Sequence, residues 1–397
     1  MKNKTILIAG AGPGGLTLAY WLKRHGFVPT LVEKHPDLRT GGYKIDIRGV
    51  ALDVVRRMGA HDAIFKARTE MRGTTSVDSN GKQVTTMSAD LAGWRVDGDI
   101  EIMRGDLCQI LFDQVADVEC LFGDSITQIT EGPEGVHVTF EHGPARPFDL
   151  VVGADGLHST VRKLVFGSES QFLHELGFYI SFYTVSNFLN LDRWEIEYLD
   201  LKQWKYIQVF STHGDPQAKA CFAFPSDALQ FDYRNRKQQQ ELLKHAYAGI
   251  GWEAPRFLAA MESSPDFYFD TIAQIRMPHW SQGRVSLVGD AGYCPSPLSG
   301  QGTSLALVGA YVLAGELTEA QGDQTAAFSS YETLLRTFVE KNQKLAIDNA
   351  KMMKRPGLLK LFNLLGRLMP ASWTHLFKRW GQKQVHTAAT ALTLKNY

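Results

Sequence analysis

The pattern of apolar and polar positions at the start of the chain predicts a strand, a helix and a second strand. Residues 5–9 (TILIA) form a short apolar run that is typical of a buried strand. The segment GAGPGG follows, a helix is predicted over about residues 14–25, and the next strand carries Glu33 near its end. This order predicts the βαβ unit of a parallel sheet covered by helices.

The next part of the chain mixes both periodicities. Residues 41–60 predict a glycine turn, an extended piece and an amphipathic helix, and residues 72–98 predict strands with a hairpin turn at Asn80-Gly81. Further elements are predicted as a helix at 105–116, strands at 118–123 and 135–143, and a strand, loop and helix at 148–165.

From about residue 172 to residue 278, many aromatic residues occur in short alternating runs, which predict a second, mostly β domain inserted into the first. The α/β pattern then returns. Residues 286–317 predict a buried strand, a loop with Asp290, two prolines and several glycines, and a long helix of small residues. From Phe328 onward the pattern is helical, with breaks at Pro356 and Pro370.

Gly10, Gly12 and Gly15 form a GxGxxG motif between the first strand and its helix. The first glycine permits a tight turn, the second lets a pyrophosphate approach the backbone, and the third lets helix and strand pack closely. Glu33, eighteen residues after Gly15, can accept hydrogen bonds from ribose hydroxyls. We therefore predict a dinucleotide with an unphosphorylated ribose, FAD or NAD, against the alternative of a purely structural turn.

Composition narrows the class of protein. Forty-two basic residues balance forty-two acidic ones among 397, so no overall charge recruits nucleic acid or an anionic membrane. The four cysteines have no CxxC spacing, which fits a reducing cytoplasm. We find neither a signal peptide nor a stretch long enough to span a membrane, and we expect a cytoplasmic monomer without a metal site.

Two further motifs decide between the dinucleotides. GADG (residues 153–156) and GD (residues 289–290) resemble the second and third fingerprints of the flavoprotein monooxygenases with the para-hydroxybenzoate hydroxylase fold. The resemblance implies non-covalent FAD, with Asp290 on the flavin ribose and with backbone N–H groups at Gly300 and Gly302 near the flavin. The alternative is that Asp290 caps a helix and the glycines only allow close helix packing.

The resemblance extends to GGYKIDIRG and EIMRGDLCQIL, and it implies that Arg104 contacts the flavin phosphates or ribose. Asp155 either orders its own loop or contacts the cofactor. Arg39 either meets NADPH phosphate or is a solvated loop charge. The full set of expected cofactor contacts is Gly10, Gly12, Gly14, Gly15, Glu33, Lys34, Asp46, Arg48, Arg104, Asp155, Gly289, Asp290, Pro297, Gly300, Gln301 and Gly302.

Within that family, the combination of GGYKIDIRG, EIMRGDL and GDAGYCPSPLSGQG with extra C-terminal helices looks most like the tetracycline-inactivating monooxygenases, the tetracycline destructases. Gly292, Tyr293 and Ser304 depart from the usual third fingerprint. The resemblance implies that NADPH reduces FAD, and that a flavin C4a-hydroperoxide then transfers oxygen to tetracycline, so no catalytic side chain is expected. Phe224 and Trp204 are candidate substrate contacts, although ordinary core packing is the alternative for both.

The expected fold class is α/β, a Rossmann-like FAD-binding domain with an inserted, mostly β substrate domain and C-terminal helices. The expected segments are 1–71, 99–171 and 279–327 for the FAD-binding domain, 72–98 and 172–278 for the substrate domain, and 328–397 for the helices. The basic, amphipathic end of the chain either lies on a membrane surface or, as we prefer, packs across the domains beside the substrate opening.

Three alternatives to a tetracycline-oxidising enzyme stay open on the sequence. The chain could hydroxylate another aromatic or polyketide metabolite, act as an FAD dehydrogenase or reductase, or carry flavin and bind a drug without turnover. Cys294 invites a covalent flavin link, but a buried structural thiol is the simpler interpretation. His158 is expected to act at a helix start and not as a general base.

Overall fold

The computed structural model describes residues 2–39, 41–96, 98–355 and 381–397, except for the side chain of Leu91. The predicted breaks at Pro356 and Pro370, and most of the amphipathic tail, lie outside the described residues.

The strands are β1 (Thr5–Ala9), β2 (Val28–Glu33), β3 (Lys44–Ile47), β4 (Gly73–Val77), β5 (Gln83–Ser88), β6 (Ile100–Met103), β7 (Glu119–Phe122), β8 (Ile126–Gly132), β9 (Gly135–Phe140), β10 (Arg146–Phe148), β11 (Leu150–Gly153), β12 (Leu173–Ser186), β13 (Trp194–Asp200), β14 (Lys205–Ser211), β15 (Gln217–Pro225), β16 (Tyr268–Ile275), β17 (Ser281–Gln282) and β18 (Val285–Leu287).

The helices are α1 (Pro13–Arg24), α2 (Val50–Arg57), α3 (His61–Lys66), α4 (Ala89–Ala92), α5 (Arg104–Asp113), α6 (Thr160–Val165), α7 (Arg236–Ala246), α8 (Ala254–Met261), α9 (Asp290–Tyr293), α10 (Gly302–Glu319) and α11 (Gln324–Met353). Short 3₁₀ turns occur at Glu169–Gln171 and Pro297–Ser299, and residues 381–389 are also helical. No helix within the described ranges is long and apolar enough to cross a bilayer.

The first sheet has the order β17-β18-β11-β1-β2-β7, and only its edge strand β17 is antiparallel. Ile6, Leu7 and Ile8 of β1 are all fully buried, as a parallel strand covered on both faces requires. α1 and α10 pack against each other on this sheet. The α/β opening predicted from the first 33 residues is confirmed, with α1 one residue earlier than expected.

The second sheet has the order β16-β12-β15-β14-β13-β4-β5. All of its neighbouring strands are antiparallel except β13 and β4. The predicted hairpin at Asn80-Gly81 joins β4 to β5, so residues 73–88 and residues 173–275 supply one sheet although they are far apart in sequence. The exact limits of the segments stay predictions.

The region 172–278 contains two helices that the sequence interpretation missed. α7 and α8 pack with the aromatic face of the second sheet, where Phe257 and Leu243 are fully buried. Only Gln239 and Leu243 of α7 are buried, so its apolar stripe is too narrow to stand out from the surrounding polar residues. The helices are needed because that face of the sheet is apolar and has to be covered.

The chain ends against the first sheet's helices. α11 runs for 30 residues and begins at Gln324, four residues before the predicted start, with Asp323 as its N-cap. Asn342 of α11 donates to the carbonyl oxygen of Ala388 at 3.1 Å. Near the C-terminus, the carbonyl oxygen of Lys395 accepts from the Arg57 guanidinium at 2.6 Å. Residues 381–397 thus pack on α11 and α2. The packing of the amphipathic tail across both domains stays a prediction, because that tail lies outside the described residues.

Candidate functional site

A cavity of about 740 Å³ lies between the two sheets. One wall is formed by loops at the carboxyl ends of β1, β11 and β18, which contribute Gly12, Ala154 and Gly289 among others. In doubly wound sheets, ligands bind at this end of the parallel strands. The opposite wall is one face of the second sheet.

The glycine loop between β1 and α1 requires glycine at two positions. Gly10 has a φ of +101°, and a Cβ atom there would lie 2.6 Å from the carbonyl oxygen of Ala154. A Cβ atom at Gly15 would overlap the carbonyl oxygen of Gly10, so α1 could not pack on β1. Gly12 and Gly14 line the cavity, where the first N–H groups of α1 have no intrahelical partner.

Glu33, at the end of β2, is bonded to the glycine loop itself. Its carboxylate accepts from the N–H of Ala11 at 2.9 Å and from the N–H of His35 at 3.0 Å. Lys34 and Arg39 lie on the exposed loop that follows and do not line the cavity. The structure therefore places the predicted acid beside the loop and the two predicted basic residues away from the cavity wall.

Asp155 orders its own loop. Its carboxylate accepts from the Ser159 hydroxyl at 2.5 Å and from the N–H groups of Thr160 and Val161 at 2.7 and 3.1 Å. Asp155 does not line the cavity, although its neighbours Ala154 and Gly156 do. Of the two roles considered for Asp155, the geometry matches the ordering of the loop, because the first turn of α6 takes up both carboxylate oxygens.

Asp290 lies at the cavity end of β18, where Gly289 has a φ of +65°. Its Oδ1 is buried and has no hydrogen-bond partner within the described part of the chain. Burial raises the pKa of Asp290. A Cβ atom at Gly302 would lie 3.6 Å from Oδ1, so the missing side chain keeps the space beside the carboxylate open. An acceptor in this position suits a ligand hydroxyl.

The turn before α10 also faces the cavity, through Pro297, Gly300, Gln301 and Gly302. Gln301 is fully buried, yet neither its Oε1 nor its Nε2 has a partner among residues that the structure describes. An unpaired amide in the interior is costly. A ligand that offers both a donor and an acceptor, as a flavin ring edge does, would satisfy it.

Arg104 is the first residue of α5, and its side chain reaches the glycine loop. Its backbone N–H donates to the carbonyl oxygen of Tyr43 at 3.1 Å. A Cβ atom at Gly12 would lie 3.7 Å from Nη2 of Arg104, and both residues line the cavity. A guanidinium facing N–H groups at a helix start suits a phosphate.

Asp46 lines the cavity, and one of its oxygens, Oδ1, is buried without a hydrogen-bond partner in the described ranges. The other oxygen accepts from Arg48 at 2.7 Å. Arg48 is 4% exposed and also donates to the carbonyl oxygens of Gly93 and Trp94 at 2.8 and 3.2 Å. Arg48 does not line the cavity, so the structure gives it the role of tying the cavity-wall segment 93–94 to β3.

The sheet wall of the cavity contains residues that the sequence interpretation missed. Glu195 and Glu197 of β13 and Tyr206 and Gln208 of β14 all face the cavity, as does Lys44 of β3. Glu195 and Glu197 in WEIEYL, and Tyr206 and Gln208 in KYIQVF, are separated by one apolar residue each, and this local alternation could have indicated a partly polar sheet face.

The expectation for Phe224 needs correction. On β15, Cys221 and Ala223 face the cavity, so Phe224 points to the other face because successive side chains of a strand alternate. Phe224 is 2% exposed and packs against Tyr179 with ring centroids 5.7 Å apart. Core packing, the alternative considered for Phe224, is what the structure shows.

Trp204 also does not line the cavity. Its ring packs 5.3 Å from that of Phe178, in an apolar cluster that includes the cavity residue Ile180. Trp204 is thus one layer away from the wall. The sequence did not show this, because it gave no register for the turn between β13 and β14.

The surroundings of Cys294 and His158 indicate structural roles for both residues. The Cys294 thiol lines the cavity, and burial raises its pKa well above that of a free thiol, which opposes formation of the reactive thiolate. His158 is held by Asp270 and Glu169, each at 2.9 Å, and does not line the cavity. His158 therefore connects the loop before α6 to β16.

The Asp290 oxygen and the Gln301 amide, which lack hydrogen-bond partners in the described ranges, converge with the Arg104 guanidinium on one cavity beside a glycine loop. Asp46 Oδ1 faces the same cavity and lies 3.6 Å from the Arg95 guanidinium. These residues offer acceptors for ribose hydroxyls, a cation for phosphate and an amide for a heteroaromatic ring edge. The site fits an FAD-like dinucleotide.

The sequence profile of the FAD binding domain family matches residues 3–346. The chain belongs to this family. A "flavin-dependent monooxygenase" of Legionella longbeachae is 43% identical over 346 residues, which cover 87% of this chain and 88% of the relative. An uncharacterised protein of Mycobacterium tuberculosis strain H37Rv is 47% identical over 354 residues, covering 87% and 93%.

Among solved structures, this FAD-binding-domain protein is similar to the tetracycline destructase Tet(51), with a TM-score of 0.88, 37% identity and full coverage of both chains. The family and these relatives show that the chain is an FAD-dependent monooxygenase. That result sets aside the dehydrogenase and the non-catalytic binding protein. The α/β fold with an added β-sheet and C-terminal helices is confirmed.

Proposed function

We propose that this FAD-dependent monooxygenase uses NADPH and dioxygen to oxidise tetracycline, and that it thereby inactivates the antibiotic. The observation that carries the proposal is the two-walled cavity. One wall has polar groups for a dinucleotide that lack hydrogen-bond partners among the described residues, and the other wall remains for a flat substrate. Similarity to Tet(51) over the whole of both chains supports tetracycline in preference to another aromatic or polyketide metabolite.

The glycine-loop wall would hold FAD without a covalent bond. Gly10, Gly12, Gly14 and Gly15 would place the pyrophosphate at the start of α1, and Arg104 would neutralise its charge. When bound, FAD would supply the redox chemistry, since the flavin ring can be reduced by NADPH and can then activate dioxygen.

The residues around the flavin would hold the cofactor in position. Asp290 and Glu33 would accept from ribose hydroxyls, and the space at Gly300 and Gly302 would let the ring approach the start of α10. The positive end of the α10 dipole favours negative charge on a ring lying there.

The β-sheet wall would orient the substrate and exclude water from it. Ile180, Phe182, Cys221, Ala223 and Ile272 give this wall an apolar half, against which a polycyclic ring system can lie flat. Tyr43 stacks on Phe182 with ring centroids 4.5 Å apart, so the first domain's loop closes one side of the cavity.

The first experiment mixes purified holoprotein, NADPH and chlortetracycline, and follows the absorbance of the drug together with oxygen uptake. We expect loss of the drug's long-wavelength absorbance with oxygen consumption, and neither without NADPH. Oxygen uptake that yields only hydrogen peroxide and leaves the drug intact would contradict the proposal. Replacing NADPH by NADH tests the nicotinamide preference.

A further inference from the structure

The polar half of the sheet wall contains an unusual carboxylate. Glu197 of β13 is flanked in the sheet by β4 and β14, and its two oxygens accept from the Ser76 hydroxyl at 2.5 Å and the Tyr206 hydroxyl at 3.1 Å. Both partners are neutral. Within the described ranges, no basic side chain lies within ion-pairing distance of Glu197.

The cations close to this wall are already engaged. Lys44 binds Glu195 at 2.5 Å and lies 3.7 Å from Glu101. Arg95 in turn binds Glu101 at 2.5 Å. The network continues through Arg48 to other carboxylates, Asp46 and Asp99. Each of these basic groups has at least two acidic partners, and none of them forms an ion pair with Glu197 in the described part of the chain.

Burial raises the pKa of Glu197. The charge of Glu195 adds to this effect, and together they outweigh the hydrogen bonds from Ser76 and Tyr206 and the charge of Lys44, which lower the pKa. An incoming cation would favour the ionised carboxylate and would in turn be stabilised by it. The two hydroxyl donors do not require a charged acceptor, so these hydrogen bonds alone do not account for a carboxylate at this position.

A second feature of the same wall indicates a ligand. Thr74 of β4 lies directly opposite Glu195 in the parallel β4–β13 pair, faces the cavity and is 1% exposed. Its hydroxyl has no hydrogen-bond partner among the residues described here. Buried hydroxyl groups are normally bonded, so this end of the wall is built for a polar group that a ligand brings.

The wall is therefore amphipathic across the strands. β16, β12 and β15 present apolar residues to the cavity, whereas β14, β13 and β4 present Tyr206, Gln208, Glu197 and Thr74. A flat substrate with one polar, cationic edge would therefore place that edge on the side of β14, β13 and β4.

We propose that Glu197, on the sheet wall that also carries the unpartnered Thr74 hydroxyl, forms a subsite for an ammonium group of the substrate, so that the enzyme takes polycyclic phenols that carry a basic nitrogen. This inference rests on the proposed function, because tetracycline is a phenolic polycycle with a dimethylamino group. It assigns Glu197 to substrate orientation and selectivity, and it assigns the apolar strands to the uncharged rings.

The test measures binding to the FAD-loaded protein with two matched pairs of ligands, by titration calorimetry and by the change in the flavin absorption spectrum. One pair is tetracycline and 4-dedimethylaminotetracycline. The other is hordenine and 4-isopentylphenol, which are phenols of equal shape that differ in having N(CH₃)₂ or CH(CH₃)₂ at the end of the side chain. We expect the cationic member of each pair to bind about tenfold or more tightly.

Glu197→Gln removes the charge and keeps the size and an acceptor for Ser76 or Tyr206, so the preference for the cationic member should fall to less than about twofold. Glu175→Gln is the matched control, since Glu175 is an exposed glutamate of the same sheet that does not line the cavity. Tyr206→Phe removes one partner of Glu197 but leaves its charge, and it should retain the preference.

The outcomes separate the two proposals. Oxidation of tetracycline without any cation preference in the wild type, or with a preference unchanged in Glu197→Gln, would overturn the subsite and leave the function in place. A Glu197-dependent preference for hordenine, in a protein that leaves tetracycline intact, would support the subsite and overturn the assigned substrate. Preference for the neutral member of each pair would also overturn the subsite.

Discussion

Single residues of the cavity differ in what a substitution would disturb. Gly12 and Gly15 belong to the same motif, yet space for a side chain exists only at Gly12, where the nearest group is the Arg104 guanidinium. At Gly15 the nearest group is the backbone of the same loop. A side chain at Gly12 would therefore interfere with the ligand, whereas a side chain at Gly15 would interfere with folding.

This difference yields a prediction for Gly12→Val and Gly15→Val. Gly12→Val should fold but retain less than about a tenth of the FAD, because the side chain fills the space for the pyrophosphate. Gly15→Val should reduce the yield of folded protein, because it overlaps the carbonyl oxygen of Gly10. The flavin-to-protein absorbance ratio and circular dichroism measure the two effects. Full flavin content in folded Gly12→Val would count against the assigned site.

At the scale of elements, His158 connects two parts of the fold. It lies just before α6, and it binds Glu169 on one side and Asp270 of β16 on the other. Its ring also stacks on Tyr233 at 4.3 Å. Burial alone would lower the pKa of His158, but the hydrogen bonds and charges of Asp270 and Glu169 outweigh burial and raise the pKa to about 9.

A pH dependence of stability follows from this shift. Because the folded-state pKa lies above the ordinary value of 6.5, the stabilisation is complete below pH 6.5 and is lost as the pH rises through about 9. We expect the free energy of unfolding to fall by about 1–3 kcal/mol between these limits. Urea unfolding from pH 6 to pH 10 measures it.

His158→Gln should flatten this pH dependence, whereas His137→Asn, on an exposed position of β9, should not. Equal slopes for His158→Gln and the wild type would show that the ion pairs of His158 contribute nothing measurable. The prediction concerns the connection between the two sheets and is independent of the substrate.

At the scale of the whole molecule, the end of the chain packs on the first domain. Glu316 of α10 is 3% exposed, and its carboxylate binds Nζ of Lys395 at 2.6 Å and the hydroxyl of Tyr397 at 2.6 Å. The Tyr311 hydroxyl donates to the carbonyl oxygen of Lys395 at 2.7 Å. Lys395 and Tyr397 thus supply the hydrogen-bond partners of a carboxylate that is buried on the largely apolar helix α10.

Ending the chain at residue 394 should therefore destabilise the protein by about 1–3 kcal/mol, since it removes the partners of a buried carboxylate. Flavin content should be unchanged, because these residues do not line the cavity. In a Glu316→Gln background the same truncation should cost less, since no charge is left unpaired. Thermal unfolding of the four proteins tests this, and equal costs in both backgrounds would refute it.

The sequence by itself determined the parts of the protein that depend on local order. GAGPGG between an apolar strand and a helix requires a phosphate-type turn, and Gly10 and Gly15 do have the contacts that this turn imposes. Alternating aromatic runs at 172–278 predicted a mostly β region, and strands β12 to β16 lie there. The motif resemblance at residues 289–290 implied that Asp290 lies at the ligand, and Asp290 does line the cavity. These features are encoded within a few residues, so no knowledge of distant contacts was needed.

Only the tertiary structure decided which distant groups meet. The register and facing of β13 to β15 turned Phe224 into the core and Glu197 into the cavity, and a shift of one residue would have reversed both. The roles of Arg48 and His158 depend on partners far away in sequence, Gly93 and Trp94 for Arg48 and Asp270 for His158. Hydrogen bonds and burial across such separations are properties of the packed chain, because the same side chain is a ligand contact, a cap or a core residue according to what the fold places against it.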